Sequence, residues 1–217
     1  MNISLWMKKN VVTIEAEQTL QEAIALFEHH GFRHLPVVQD QRVVGVLTSA
    51  DINRVLPSVL NQEEYEESGY LIEQTTVAAA MGSPAITIPT TASLLDAVGL
   101  MRRNKIDSLP VVDAHGGPLG IISITDIFQA FHEIMSTEGG DTCYDLKLER
   151  TGEAFYKMIE VFKQANKEVL AIFQHYDFSK DQQLVTVVIR GHDNDALSDG
   201  LWQNDITIEK ITAPGSD

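Results

Sequence analysis

The sequence is poor in cysteine, in positive charge and in long apolar runs, and each shortage excludes something. Cys143 is the only cysteine of 217 residues, so no internal disulfide is possible and a reducing compartment, the cytoplasm, is expected. Sixteen Lys and Arg stand against 31 Asp and Glu, for a net charge of -15 and a pI of about 4.7. A surface of that sign repels nucleic acid and anionic membrane, yet a local pocket remains free to hold a small anion. No stretch reaches the roughly 18 apolar residues of a membrane span, and the opening MNISLWMKKN lacks the apolar core of a signal peptide. Enzyme signatures are also missing: there is no G-x-S-x-G, H-E-x-x-H, Walker A or G-x-G-x-x-G pattern. Cys143 sits in a strand-like segment without a His partner and reads as a small buried packing residue. The seven histidines do not fall at metal-ligand spacing. No enzyme is expected. Hydrophobic residues at 44% suffice for packed cores, and the length suits two domains better than one.

What is present is present twice. Residues 31–51 read GFRHLPVVQDQRVVGVLTSAD and residues 105–126 read KIDSLPVVDAHGGPLGIISITD. Leu35-Pro36-Val37-Val38 matches Leu109-Pro110-Val111-Val112, and Thr48/Asp51 matches Ser123/Asp126. Self-similarity of this length marks one supersecondary unit used twice. The match extends upstream, where Val12-Thr13-Ile14 corresponds to Ile86-Thr87-Ile88, each a short extended piece. Leu20, Ala23, Ile24 and Phe27, then Leu94, Ala97, Val98 and Met101, follow helical spacing. Thr19 with Glu22 and Ser93 with Asp96 read as capping boxes. His29-His30 precede Gly31 and Arg102-Arg103 precede Asn104, and Gly and Asn are the residues that tolerate a left-handed C-terminal turn. The cations there either complement the helix dipole or, with Arg33 and Lys105, contact a bound phosphate. Strands are expected over 35–39 and 42–47, then 109–113 and 118–122, with a hairpin turn one residue longer in the second copy. Second helices begin near Ser49 and Ile124, so each repeat reads strand, helix, strand, strand, helix. Between the repeats, the acidic run Glu63-Glu64-Tyr65-Glu66-Glu67 reads as a solvated excursion.

Beyond a small, polar stretch at 136–141, read as a linker, the pattern changes. Strands are expected over 143–148, 169–173, 184–189 and 206–211, with a turn at 177–182. Phe155, Met158, Ile159 and Phe162 mark one helix, and 193–202 a shorter one. The order βαββαβ is that of a ferredoxin-like split βαβ unit. The fold class is therefore α/β (α+β), divided at 1–60 for the first repeat, 61–138 for the second with its preceding linker, and 142–217 for the last domain.

The repeated hydroxyl and aspartate carry the chemistry. A hydroxyl and free N–H groups at a helix start suit a phosphate, and an ionised Asp one turn in accepts hydrogen bonds from a ribose diol. Ser/Thr-x-x-Asp is equally a capping box with no ligand, and spacing leaves both readings open. The duplicated unit resembles a tandem pair of CBS domains, a Bateman module, over residues 1–135. The resemblance implies two pseudo-twofold related units, a homodimer, and an adenine nucleotide (AMP, ADP or ATP) or related adenosyl compound in the cleft between repeats. It places Asp51 and Asp126 on ribose, Thr48 and Ser123 by phosphate, Val12, Thr13, Ile86 and Thr87 at the base edge, and His34-Leu35-Pro36 and Ser108-Leu109-Pro110 along the other wall. The C-terminal part resembles an ACT domain through Glu149-Arg150-Thr151-Gly152 at its strand-to-helix turn. It departs from that family in Ala154-Phe155 and in a short second helix containing Gly200. A CBS pair followed by an ACT-like domain is the arrangement of acetoin utilization protein B-type proteins. The expectation is a non-catalytic sensor acting on a downstream protein still to be identified. The alternative is a partner-binding scaffold whose clefts stay empty.

Overall fold

The computed structural model describes residues 1–55, 70–135, 141–177, 181–192 and 195–213. The acidic run at 63–67, linker residues 136–140 and the middle of the 177–182 turn lie outside the described residues. The chain divides into two units, Met1–Ala130 and Phe131–Asp217.

The first unit opens with a short 3-10 helix (Ile3–Leu5). It continues through β1 (Lys8–Lys9), β2 (Ile14–Glu15), α1 (Leu20–His30), β3 (His34–Gln39), β4 (Arg42–Thr48), α2 (Ser49–Val55) and α3 (Val77–Ala80). The second repeat supplies β5 (Ile88–Pro89), α4 (Leu94–Asn104), β6 (Ser108–Val112), β7 (Pro118–Ser123) and α5 (Ile124–Met135). Both long helices start on their capping boxes. The Thr19 hydroxyl accepts from the Glu22 N–H while the Glu22 carboxylate accepts from the Thr19 N–H, and Ser93 and Asp96 repeat the exchange. The left-handed residue at the end of α1 is Gly31 (φ 67°). At the end of α4 it is Lys105 (φ 55°), not Asn104, which stays helical and donates from its side chain to the Leu100 carbonyl.

Each repeat builds a small sheet, β2-β3-β4 and β1-β7-β6-β5, in which the first short strand runs parallel to the Leu-Pro-Val-Val strand and the next antiparallel. Both hairpins slip register at the same place, between Val37 and Val38 and between Val111 and Val112. The first closes on Asp40 and Gln41, both at positive φ. In the second, the Asp113 carboxylate accepts from the His115 and Gly117 N–H groups at 2.7 and 2.8 Å and holds the longer turn.

The repeats exchange their leading segments. Ile3 is fully buried in the second repeat's core with Ile88, Ala97, Leu109 and Ile122, and its N–H donates to the Ala92 carbonyl. Conversely Val77 and Ala80 are buried in the first repeat's core with Leu20, Leu35 and Leu47, and the Val77 N–H donates to the Gln18 carbonyl at 2.8 Å. The exchange explains the glycine shared by both motifs. A Cβ on Gly45 would stand 2.3 Å from the Met81 sulfur, and one on Gly120 would stand 2.4 Å from the Lys8 carbonyl oxygen. Only a residue without Cβ lets the incoming segment lie against the strand.

The second unit runs β8 (Thr142–Glu149), α6 (Gly152–Gln164), β9 (Val169–Asp177), β10 (Gln182–Ile189), α7 (Asp195–Gln203) and β11 (Thr207–Thr212). The sheet order β11-β8-β10-β9, all antiparallel, is the ferredoxin-like arrangement. Alternation along β8 sends Tyr144, Leu146 and Leu148 into a core with Met158, Phe162, Leu197 and Leu201. Cys143 falls on the opposite face and is half-buried, so the buried packing role expected for it is met only in part. Gly200 has a packing reason: a Cβ there would meet Val161 at 3.0 Å, so the glycine lets α7 lie close against α6.

Candidate functional site

β4 and β7 each pass into a helix through a hydroxyl and an aspartate. The Thr48 N–H and hydroxyl both donate to Asp51 Oδ2, at 2.9 and 2.6 Å, and the Asp51 N–H donates back to the Thr48 hydroxyl at 3.2 Å. Ser123 and Asp126 repeat the arrangement at 2.7, 2.5 and 3.3 Å. Both pairs are therefore capping boxes, and Oδ2 of each carboxylate is committed to its cap. Oδ1 is not. In Asp51 it meets the Arg54 guanidinium at 3.2 Å, and in Asp126 the Lys8 ammonium at 3.9 Å. The carboxylates are 12% exposed and the cations 74% and 71%. Such partners are held loosely by solvent-screened attraction, and a ligand hydroxyl can take their place on Oδ1 without opening the core.

Each aspartate borders a cleft. The Asp51 cleft, about 400 Å³, is edged by Thr48 and Arg54 on one side and by Lys105, Asp107 and Ser108 of the other repeat. Its apolar wall is Pro84, Ala85 and Ile86, with Val46 and Ile106. That wall is fixed by β4: Gly82 and Val46 exchange two backbone hydrogen bonds, and the Ala85 N–H donates to the Val44 carbonyl at 3.0 Å. The Asp126 cleft, about 430 Å³, places Ser123 and Asp126 opposite Phe32 and Arg33, with Lys8 entering from β1. Each cleft thus joins the helix start of one repeat to the segment before the Leu-Pro-Val-Val strand of the other. His34, Thr48 and Asp107 line both.

Of the fourteen residues singled out in the sequence, seven line these clefts: His34, Thr48, Asp51, Ile86, Ser108, Ser123 and Asp126. Leu35 and Leu109 do not form a wall, because both are fully buried in their repeat cores. Pro36 and Pro110 are buried beside them. Val12 packs against the first core, and Thr13 and Thr87 are half-buried outside both cavity linings. Of the basic residues considered for phosphate, Lys105 and Arg33 reach a cleft and Arg102 and Arg103 line neither. Sequence reasoning missed Arg54, Lys8, Asp107 and the 82–85 wall. Arg54 had a readable signal, since it lies one turn after Asp51. Asp107 adjoins Ser108, which was singled out, while Lys8 and the 82–85 wall arrive from distant segments and had none.

Burial pushes the His34 imidazole below its ordinary value; Asp107 and Asp51 pull it back up, and Arg33 pushes it further down.

The CBS domain family's model matches residues 3–58 and 77–133, just over half of the chain. This chain belongs to the CBS-domain family. The inosine-5'-monophosphate dehydrogenase of Mycobacterium tuberculosis is 32% identical over 136 residues, 62% of this chain and 23% of that protein, so the chain spans under a quarter of the enzyme's length. The CBS domain-containing protein YhcV of Bacillus subtilis is 31% identical over 121 residues, 56% of this chain and 79% of that one. Among solved structures, MJ1225 from Methanocaldococcus jannaschii superposes with a TM-score of 0.53 at 27% identity, over 60% of this chain and 47% of that one. A Vibrio cholerae protein assigned to acetoin utilization (AcuB) gives 0.51 at 23%, over 62% and 93%. CBSX2 in complex with AMP gives 0.52 at 24%, over 62% and 99%. At the identities of the last two, the likeness is one of fold.

Proposed function

We propose that this CBS pair is a non-catalytic regulatory module that binds an adenosine-containing ligand in the Asp51 cleft. The observation that carries the reading is Asp51 Oδ1, left out of the cap, in a cleft whose lining joins the apolar wall to Arg54 and Lys105. A ribose diol would donate to Oδ1, the adenine would lie against Pro84, Ala85 and Ile86, and Arg54 and Lys105 would meet a phosphate. The Asp126 cleft supplies the same carboxylate. Of the entry segment that corresponds to residues 82–86, however, only Lys8 reaches it, so we rank it second. AMP, ADP, ATP and S-adenosylmethionine share the adenosyl part this geometry addresses, and CBSX2, which shares the fold, is solved in complex with AMP.

The same reading assigns the C-terminal unit to the ACT-like modules, supported by its strand order and by the Thr151 cap, whose hydroxyl accepts from the Ala154 N–H at the Glu149-Arg150-Thr151-Gly152 turn. Pairing into a homodimer is supported by the apolar side chains exposed on the second repeat, among them Leu95 and Phe128. The domain order supports an acetoin-utilization-type role passed on to a downstream protein, and the single cysteine supports a place in the cytoplasm. The test is a thermal-shift panel of the four ligands on wild type, Asp51→Ala and Asp126→Ala. A ligand that raises the melting temperature of wild type and of Asp126→Ala, but not of Asp51→Ala, is the expected result. The scaffold reading has one observation in its favour: Thr48 and Ser123 give both aspartates a capping role that needs no ligand. No shift with any of the four ligands would overturn the sensor and favour the scaffold.

A further inference from the structure

His34 stands where the two clefts meet. It opens β3 opposite Thr48 and lines both cavities. The corresponding residue of the second repeat is Ser108, which opens β6 opposite Ser123 and lines only the Asp51 cleft. Without His34 the described residues that line each cleft balance in charge. Arg54 and Lys105 offset Asp51 and Asp107 in one, and Lys8 and Arg33 offset Asp107 and Asp126 in the other. A phosphate that enters either cleft therefore brings charge that the fixed groups do not match. The half-buried imidazole, its pKa lowered by burial and faced by Asp107, Arg33 and Asp51, is, among the described residues, the one group at the shared wall able to change its charge near neutral pH.

We propose that His34 is a specificity-determining residue that takes up a proton when a phosphate-bearing adenosine binds and stays neutral with an uncharged adenosine. This rests on the reading of the cleft as an adenosyl site and adds the sign of its selectivity. A pKa raised by the bound phosphate means that binding takes up a proton. Phosphorylated ligands then gain affinity as pH falls from the bound-state value of His34 toward its lower free-state value. Uncharged adenosine has no such dependence. A rise of one unit gives a gain of about tenfold across that window.

The experiment is calorimetry of AMP and of adenosine on the full chain, near pH 7, in two buffers of different ionisation enthalpy. His34→Ser, which copies the residue of the second repeat, is the variant. The nucleotide's own phosphate titrates nearby, so the wild-type minus variant difference is the quantity read. Wild type is expected to take up more protons with AMP than His34→Ser does, and to bind AMP about 3- to 10-fold more tightly. Adenosine should bind both proteins alike with no proton exchange. A proton count unchanged by the substitution, or an equal loss for AMP and adenosine, overturns the inference while leaving the adenosyl site intact. Failure of wild type to bind either ligand overturns both. Should His34→Ser not fold, the imidazole titration of wild type followed by NMR with and without AMP decides the same point: the pKa rises with AMP, or the inference is wrong.

Discussion

The Asp51 and Asp126 sites share a carboxylate, a hydroxyl and a cap, and differ in where the counter-charge comes from. Arg54 reaches Asp51 from one turn along the same helix, and the equivalent residue of the second repeat is Gln129. Lys8 reaches Asp126 from the exchanged segment, paired with Ile121 on β7. The residue that takes the Lys8 place beside β4 is Gly82, bridged to Val46. Duplication thus preserved the group that accepts and let the cation be supplied locally in one site and from about 120 residues away in the other. At Asp51 the counter-ion belongs to the same helix start as the carboxylate. At Asp126 it is present only while β1 lies on β7.

That dependence is the first place to break the comparison. At Gly120 an added Cβ meets backbone first, the Lys8 carbonyl oxygen at 2.4 Å, whereas at Gly45 it meets the Met81 sulfur first, at 2.3 Å, and backbone only at 3.0 Å, the Gly82 carbonyl oxygen. A methionine can swing aside and a paired strand cannot without losing its hydrogen bonds. Overpacking costs about 1–3 kcal/mol. Gly120→Ala is expected near the top of that range and Gly45→Ala near the bottom, as read by urea unfolding. Equal losses would show that the exchanged segments are held with the same tightness in both repeats.

The second comparison is between the aspartates as ligand groups. Losing a hydrogen bond to a charged acceptor costs about 1.5–3 kcal/mol, so Asp51→Ala should weaken adenosyl binding about 10- to 100-fold in calorimetry. Asp126→Ala should leave that affinity within about threefold. Both variants lose a cap and so about 0.5–2 kcal/mol of stability, which makes the melting temperature the internal control. If Asp126→Ala weakens binding as much as Asp51→Ala does, the ranking of the clefts is wrong.

How much of this was legible in the sequence depends on the distance over which each feature is specified. The capping boxes, the hydroxyl-aspartate pairs and the helix faces are set within four residues, and they appear where the spacing places them except at Val98, which is exposed while Leu100 packs against the core in its stead. The walls are not. Leu35 through Val38 and Ser108 through Val112 are buried throughout, and a strand covered on both faces carries no alternation to say which side chains meet a cleft. That is why Leu35 and Leu109 read as wall residues and are core. The exchange of Ile3 and Val77 between cores joins segments that share no local signal, so Lys8 and the 82–85 wall were invisible. Lys105 shows the smaller failure, where the turn took its left-handed residue one place later than Asn104 suggested.

A third experiment isolates the counter-charges. Arg54 and Lys8 are both largely exposed, so neutralising either should move stability by at most about 0.5 kcal/mol. Their effects on binding should separate. Arg54→Gln is expected to weaken a phosphorylated ligand by about 3- to 10-fold and adenosine hardly at all, because the guanidinium meets phosphate and not base. Lys8→Gln should leave the Asp51 cleft unaffected. Adenosine and AMP weakened alike by Arg54→Gln would place its role in holding Asp51, not in meeting the ligand.

The smallest effect tests the features in which the repeats are alike. The carboxyls of Glu22 and Asp96 are both held below their ordinary values, chiefly by the backbone N–H of the capping residue, Thr19 in one case and Ser93 in the other. A depressed carboxyl stabilises the fold above its unfolded-state value, and the gain is lost as pH falls through the folded-state value. Both groups lie at the surface, so the contribution is modest and screened. Glu22→Gln and Asp96→Asn should each lower the melting temperature slightly at pH 7, and the curves should converge on wild type as the pH drops below the ordinary carboxyl range. Because the two caps share the same reciprocal exchange with the backbone, at 2.8 and 2.9 Å from the capping N–H, the two shifts should be close. A shift confined to one variant would mean that like caps are worth different amounts in the two repeats, which the exchanged segments that abut them would then have to explain: Thr19 bridged to Thr76 in one repeat, Ser93 to Asn2 in the other.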